Sequence, residues 1–223
     1  MNPWLGIFLI LAATRGLLGV VGFLERRWRL WPETARKSLH AGLGLLLATY
    51  PLLFRSAWPV CLLCAVYLAL LAARPHFDFL HRPVARLMYG LGRRSLGDWC
   101  FPIAVTALFL LSRSNRLLFC VPLLILALAD AGAAVIGSRY GAKFYRGPGG
   151  RKSFEGSAAF FVIAFLVVHV ALLLRTDMPR SATLLAPLAM AAALTLVEGF
   201  CPLGSDNLVI PLSGFFLLRW LLF

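Results

Sequence analysis

Acidic side chains are scarce in this chain, and one of them lies where an ionised group is costly. The 223 residues include only nine Asp and Glu. Asp130 ends the apolar run LLFCVPLLILALAD and precedes the small residues of AGAAVIGSRYG. A carboxylate in a membrane span costs about 2.5–3.5 kcal/mol unless it is paired, hydrated or metal-bound. The small residues either let a phosphate or another backbone approach closely, or form a packing face with one snorkelling Asp.

A glycine-rich cationic segment, GAKFYRGPGGRKSFEGS, follows directly. Its glycines can expose backbone N–H groups, Arg151 and Lys152 carry charge, and the start of the next helix favours anions. This pattern is typical of a loop that binds a polyphosphate. It is not a Walker A motif, because no glycine directly precedes Lys152 and an apolar span leads in. The alternative is a cytoplasmic loop with turn glycines, which leaves Glu155 at the mouth of the next span unexplained.

The segment WPETARKSLH carries a second group of cations. It places Arg36 and Lys37 at the entrance of a predicted helix. His40 lies one turn after Arg36 on the same helical face.

The segment VEGFCPLGSDNLVIPL carries further acids. Glu198 ends one predicted helix, and Asp206 with Asn207 begins the next. Mg²⁺ binds hard oxygen ligands around phosphates, keeps waters and uses few carboxylates. Phosphate-binding cations and metal-binding carboxylates at a membrane surface indicate nucleotide-dependent chemistry on a lipid.

The composition requires that helices in a membrane position these residues. The chain is 61% apolar and 14% charged, with a mean hydropathy of +0.84. A soluble domain is nearer half apolar and a quarter charged, and a disordered chain has low hydrophobicity. Both classes are therefore excluded.

Apolar runs predict an all-α, polytopic membrane protein with about eight transmembrane helices, within a range of seven to nine. We find no repeat or linker, so residues 1–223 are predicted to form a single membrane-embedded domain. The predicted helices cover residues 4–24, 39–54, 57–73, 97–111, 117–138, 157–174, 181–198 and 207–223.

The cations predict an orientation, because short cytoplasmic loops accumulate Lys and Arg. The first, third and fifth loops hold fifteen of the 22 cations, and the second, fourth and sixth loops hold five. The net charge of +13 is therefore expected to reflect membrane sidedness rather than nucleic-acid binding. We expect the N-terminus to lie outside and eight of the nine acids to face the cytoplasm, with Asp177 as the exception.

Taken in order, five motifs resemble those of the polyprenol kinase family. This family contains CTP-dependent dolichol, phytol and diacylglycerol kinases and is distantly similar to phosphatidate cytidylyltransferases. From the first to the last, the motifs extend over about four fifths of the chain. They are RKSLH at 36–40, LGDWCFP at 96–102, DAGAAVIGSRYG at 130–141, RKSFEGS at 151–157, and LVEGF with DNLVIPL between 196 and 212.

The resemblance implies transfer of the γ-phosphoryl group of CTP to a membrane lipid alcohol, with Mg²⁺, at the cytoplasmic face of the cell (inner) membrane. It assigns catalysis to Asp130, Lys152 and Lys37, with Asp130 holding Mg²⁺ or orienting the hydroxyl group. The implied nucleotide-binding residues are Arg36, Lys37, Gly137, Gly141, Lys152, Ser153 and Asn207. The implied metal ligands are Asp130, Glu155, Glu198 and Asp206. Asp98 departs from the family, which often has Glu there.

Two other functions compete with this interpretation. In the first, phosphatidate attacks the α-phosphate of CTP and gives CDP-diacylglycerol and pyrophosphate. The second is a transporter or a non-catalytic scaffold, although transporters concentrate polar groups near the midplane. The sequence identifies neither the lipid alcohol, which could be an isoprenoid alcohol or diacylglycerol, nor the oligomeric state.

Overall fold

The computed structural model describes residues 2–29, 31–73, 96–113, 115–202 and 204–223. Within these ranges the chain is mostly helical, with one short antiparallel hairpin. The elements are α1 (Pro3–Trp28), α2 (Pro32–Leu47), α3 (Tyr50–Leu53), α4 (Trp58–Ala73), α5 (Leu96–Ser112), α6 (Arg116–Leu124), a π-helical segment (Ile125–Asp130), α7 (Ala131–Tyr140), β1 (Phe144–Gly147), β2 (Gly150–Ser153), α8 (Phe154–Arg175), α9 (Ala182–Phe200) and α10 (Asp206–Leu222).

The prediction of an all-α membrane protein is confirmed. Four helical stretches are long and apolar enough to cross a membrane: Pro3–Trp28, Arg116–Tyr140, Phe154–Arg175 and Ala182–Phe200. Helices α4 and α5 are apolar but shorter. Seven of the eight predicted ranges each overlap one continuous helical stretch, with shifted ends, whereas the predicted range 39–54 covers the end of α2 and the separate short helix α3.

The largest shifts are in α2, which was predicted to cover residues 39–54 but begins at Pro32 and ends at Leu47. Proline is accepted in the first turn of a helix, because the N–H group that it lacks would have no helical partner there. Arg36 and Lys37 therefore lie within α2 and not at its entrance. Their side chains are held at fixed positions on a helical face.

The continuous helix from Arg116 to Tyr140 forms the centre of the molecule. Of the 18-residue apolar stretch that could span a membrane, 61% is buried inside the protein in this helix, against 39% or less of the corresponding stretch in each of the other three long helices. Helix α8 packs on it through a fully buried stripe with a four-residue spacing, which gives one apolar face. The stripe consists of Phe160, Ala164, Val168 and Leu172.

This central helix changes its winding in the middle. Pro122, which has no N–H group, lies three residues before the π segment, and that segment ends at Asp130. Such segments are rare and frequently lie at functional sites.

The glycine-rich segment that was predicted as a loop forms the hairpin β1–β2. Gly147 pairs with Gly150 across a turn of Pro148 and Gly149. Gly150 has a φ of +113°, a conformation that side chains rarely adopt. Ser153 then caps α8, because its hydroxyl group accepts a hydrogen bond from the N–H of Gly156 at 3.0 Å. The hairpin is thus rigidly joined to a long helix.

Candidate active site

The negative charge of the buried Asp130 carboxylate is compensated by the ammonium group of Lys37. Nζ of Lys37 on α2 lies 2.5 Å from Oδ2 of Asp130 at the end of the π segment. The side chains are only 10% and 8% exposed, respectively. A buried carboxylate needs a charge or several hydrogen-bond donors nearby, and this lysine supplies the charge and one hydrogen bond.

A second pair joins the hairpin to the end of α9. Nζ of Lys152 lies 2.5 Å from Oε1 of Glu198 and also donates to the Glu198 backbone carbonyl. Two neighbouring contacts dock the same hairpin: the Tyr145 and Ser157 hydroxyl groups are 2.7 Å apart, and Gly147 lies against the Gly199 carbonyl. Lys152 therefore has a defined position beside α9.

Glu155 lies in the first turn of α8. Its Oε1 accepts a hydrogen bond from the backbone N–H of Lys143 at 3.2 Å. Its other carboxylate oxygen, Oε2, is buried and has no hydrogen-bond partner among the described residues. Oε2 of Glu198 is in the same state.

Asp206 and Asn207 bring the start of α10 to the same end of the molecule. The Asn207 side chain donates to the carbonyl of Gly97 on α5 at 3.1 Å. The Asp206 carboxylate is close enough to Lys37, Asp130 and Lys152 to interact with their charges. Residues from α2, the central helix, the hairpin and α10 therefore share one electrostatic site.

The predicted glycines lie at a close helix crossing. A methyl group on Gly137 would lie 2.8 Å from Oγ of Ser153 and 3.4 Å from Cα of Gly156. A methyl group on Gly141 would lie 2.9 Å from Cβ of Ser153. In the described structure it is another backbone, that of α8, that approaches these small residues.

The four predicted metal ligands do not form a complete cage. Across the described ranges, no three His, Cys, Asp or Glu side chains are grouped closely enough to hold a metal ion. The buried carboxylate oxygens of Glu155 and Glu198 nevertheless suit a hard cation. Mg²⁺ is commonly held by one or two carboxylates together with substrate phosphates and water, so this donor set fits an ion that arrives with a nucleotide.

His40 is a residue for which the sequence indicated no role. It lies on α2 three residues after Lys37, and its ring centroid is 4.7 Å from that of Phe101. Together with Arg36, Asp98 and Asn207 it lines a cavity of about 50 Å³. The three-residue spacing from Lys37 is the sequence signal that could have found it.

Part of the predicted cytoplasmic surface lies outside the described residues. This applies to Asp78 and to the cations of the third loop, which are Arg74, Arg82, Arg86, Arg93 and Arg94.

Comparison with known proteins gives one informative likeness. A phytol kinase from Synechocystis sp. is 30% identical over 214 residues, which cover 94% of this chain and 89% of the relative. No family model matches the chain. No solved structure matches it. The likeness extends over nearly the whole length of both proteins.

Proposed function

The chain belongs to the polyprenol kinase family, and from this premise we propose that it phosphorylates the hydroxyl group of a membrane isoprenoid alcohol, with CTP as the donor. The relative's name supports a kinase and an isoprenoid alcohol. The observation that carries the proposal is the meeting of the Lys37–Asp130 and Lys152–Glu198 pairs with Asp206 at one end of the bundle. We further propose that this end faces the cytoplasm, where CTP is available.

The proposed reaction needs little covalent chemistry from the protein. Phosphoryl transfer is accelerated mainly by positioning and by stabilisation of charge on the transferred group. Lys37, Lys152 and Arg36 are the cations that we assign to the phosphates. A lysine ammonium has three donors, so Lys152 can keep its two bonds to Glu198 and still donate to a phosphate oxygen.

The carboxylates have a complementary role. Asp130 and Asp206 lie close enough to repel each other and would also repel a nucleotide. Bound Mg²⁺ would neutralise phosphate charge during transfer, and Glu155, Glu198, Asp206 and Asp130 are the residues that could hold it. Lys37 keeps Asp130 oriented, so that Asp130 can bind either the ion or the alcohol hydroxyl group.

One product assay tests the proposal. Purified protein is incubated with Mg²⁺, each of four nucleoside triphosphates, and a panel of phytol, geranylgeraniol, undecaprenol, diacylglycerol and phosphatidate. Release of CDP with a phosphorylated isoprenoid alcohol is expected. Release of pyrophosphate with phosphatidate would instead indicate a cytidylyltransferase, and no turnover with any pair would favour a transporter or scaffold.

Variants link the activity to the site. Asp130→Asn and Lys152→Ala are expected to abolish turnover, because each removes a charge assigned to phosphate or metal. Asp177→Asn is the matched control, since this exposed acid lies between α8 and α9, a full helix length from Glu155. A rate like that of the wild type in either of the first two variants would refute that residue's role.

A further inference from the structure

We propose that the cavity beside His40 binds the hydroxyl end of the alcohol substrate, and that Nε2 of His40 is its hydrogen-bond partner. This inference rests on the function proposed above. It adds to that function a residue that determines how the acceptor is held.

The first argument is an unsatisfied polar atom. Nε2 of His40 is buried and has no hydrogen-bond partner among the described residues. A buried polar atom without a partner costs about 1–3 kcal/mol, so such atoms are uncommon in proteins unless a ligand or water satisfies them. A hydroxyl group can donate to or accept from an imidazole nitrogen, so it suits either tautomer.

The second argument is the position of the ring. His40 and Lys37 are three residues apart on one face of α2, and Lys37 contacts Asp130 directly. His40 lies within electrostatic range of the Asp130 carboxylate as well. A hydroxyl group bound at His40 would therefore lie next to the residues that we assign to phosphoryl transfer.

The third argument is the shape and lining of the cavity. Its polar lining residues include Arg36 on α2, Asp98 on α5 and Asn207 on α10. Leu43 also lines it, seven residues after Arg36, which is about 10 Å further along the helix. The lining thus combines polar and apolar side chains, as an isoprenoid alcohol combines a polar terminus with an apolar chain.

The volume of the cavity suits the terminal group of an alcohol and not a whole ligand. A volume of about 50 Å³ accommodates a few water molecules or a hydroxymethyl group. Pockets that enclose a whole small molecule are about 300–1,000 Å³. The cavity therefore fits the end of an alcohol and not a complete nucleotide.

Steady-state kinetics with phytol and CTP test the proposal. His40→Phe keeps the ring shape but removes the nitrogen, and we expect the KM for phytol to rise about tenfold, as for one lost hydrogen bond. The KM for CTP should stay unchanged, and His40→Gln, which restores a polar atom near Nε2, should recover most of the loss. A rise in the KM for CTP alone, or no recovery in His40→Gln, would overturn the assignment.

A binding measurement separates this inference from the proposed reaction. Phytol is expected to raise the melting temperature of the wild-type protein more than the same hydrocarbon without the hydroxyl group. That difference should disappear in His40→Phe, even if no nucleotide supports turnover. Equal shifts with both compounds in the wild type, or a difference that persists in His40→Phe, would contradict the inference.

A variant at the lining residue Leu43 gives an independent check that leaves the histidine in place. Leu43→Phe narrows the cavity two turns from Arg36 and should raise the KM for phytol without changing the KM for CTP. An unchanged KM for phytol would show that the alcohol lies elsewhere.

Discussion

The Lys37–Asp130 pair has an energetic consequence that follows from its burial. The interaction of two buried charges roughly offsets the cost of removing both from water, but one buried charge alone is not offset. Removal of either residue is therefore expected to destabilise the protein, because the other charge stays buried without a partner, whatever the roles of the two residues in catalysis.

A double-mutant cycle tests this dependence. Lys37→Met and Asp130→Leu, made separately, are each expected to lower the free energy of unfolding in detergent by about 3 kcal/mol, because each leaves an unpaired charge. The double variant should be more stable than either single variant, and all three should be inactive. Strictly additive losses would show that the two side chains are not coupled.

At the scale of single residues, the sequence predicted that Asp130 needs a compensating group but did not identify that group. Asp130 in an apolar run indicates that a compensating group exists. The partner is 93 residues away in the chain, and no local pattern connects them. The sequence assigned no role to His40 for a similar reason, because the significance of its nitrogen depends on which atoms surround it.

The hairpin β1–β2 is the element that holds Lys152 in place. Its residues alternate, with Tyr145 and Gly147 facing the helices and Phe144 and Arg146 exposed. Lys152 faces inwards from β2, and the Arg151 guanidinium lies 3.7 Å from the centre of the Phe144 ring on the outer face. Docking of the hairpin on α9 therefore sets the position of the lysine.

We expect Gly147→Ala to weaken that docking, because its new methyl group would collide with the backbone carbonyl of Gly199. Activity should fall at least about tenfold, equivalent to 1.4 kcal/mol, and trypsin should cut the hairpin faster. Gly19→Ala on α1 is the matched control, since a methyl group there meets nothing within 4 Å. Equal trypsin sensitivity of the two variants would contradict the proposed role of the contact.

The sequence predicted the helices better than this hairpin. Long apolar runs are an unambiguous signal, and Pro32 accounts for the early start of α2. The strands have four residues each, and their Gly, Pro and Arg content is typical of a loop. Pairing across the turn and docking on α9 provide order that the composition does not indicate.

The molecule as a whole is polar at one end. The buried ion pairs, the hairpin and the starts of α2, α5, α8 and α10 all lie there, whereas Asp177 follows the opposite end of α8. Helix α8 has 22 residues and is about 33 Å long, close to the thickness of a bilayer core. The two ends of this helix are therefore expected to reach opposite surfaces.

Labelling with a membrane-impermeant maleimide tests the predicted orientation. In a background without the five native cysteines, Asp177→Cys should react in intact cells, and Lys143→Cys should react only after the cells are permeabilised. Both positions are exposed, so access depends on the side of the membrane. The reverse pattern would place the kinase site outside.

The direction in which Asp130 faces depends on the winding of the central helix and on the number of residues in it. An α-helix turns by about 100° for each residue, and a π turn accommodates one residue more than an α turn. Deleting one residue between Ile125 and Ala129 would let the helix resume ordinary winding. Because the extra residue is absorbed within one turn, the residues on either side would keep their relative orientation and Asp130 would still face Lys37. A one-residue deletion in the α-helical part, Arg116–Leu124, would instead turn Asp130 by about 100° relative to the residues before it, away from Lys37, although both residues were still present.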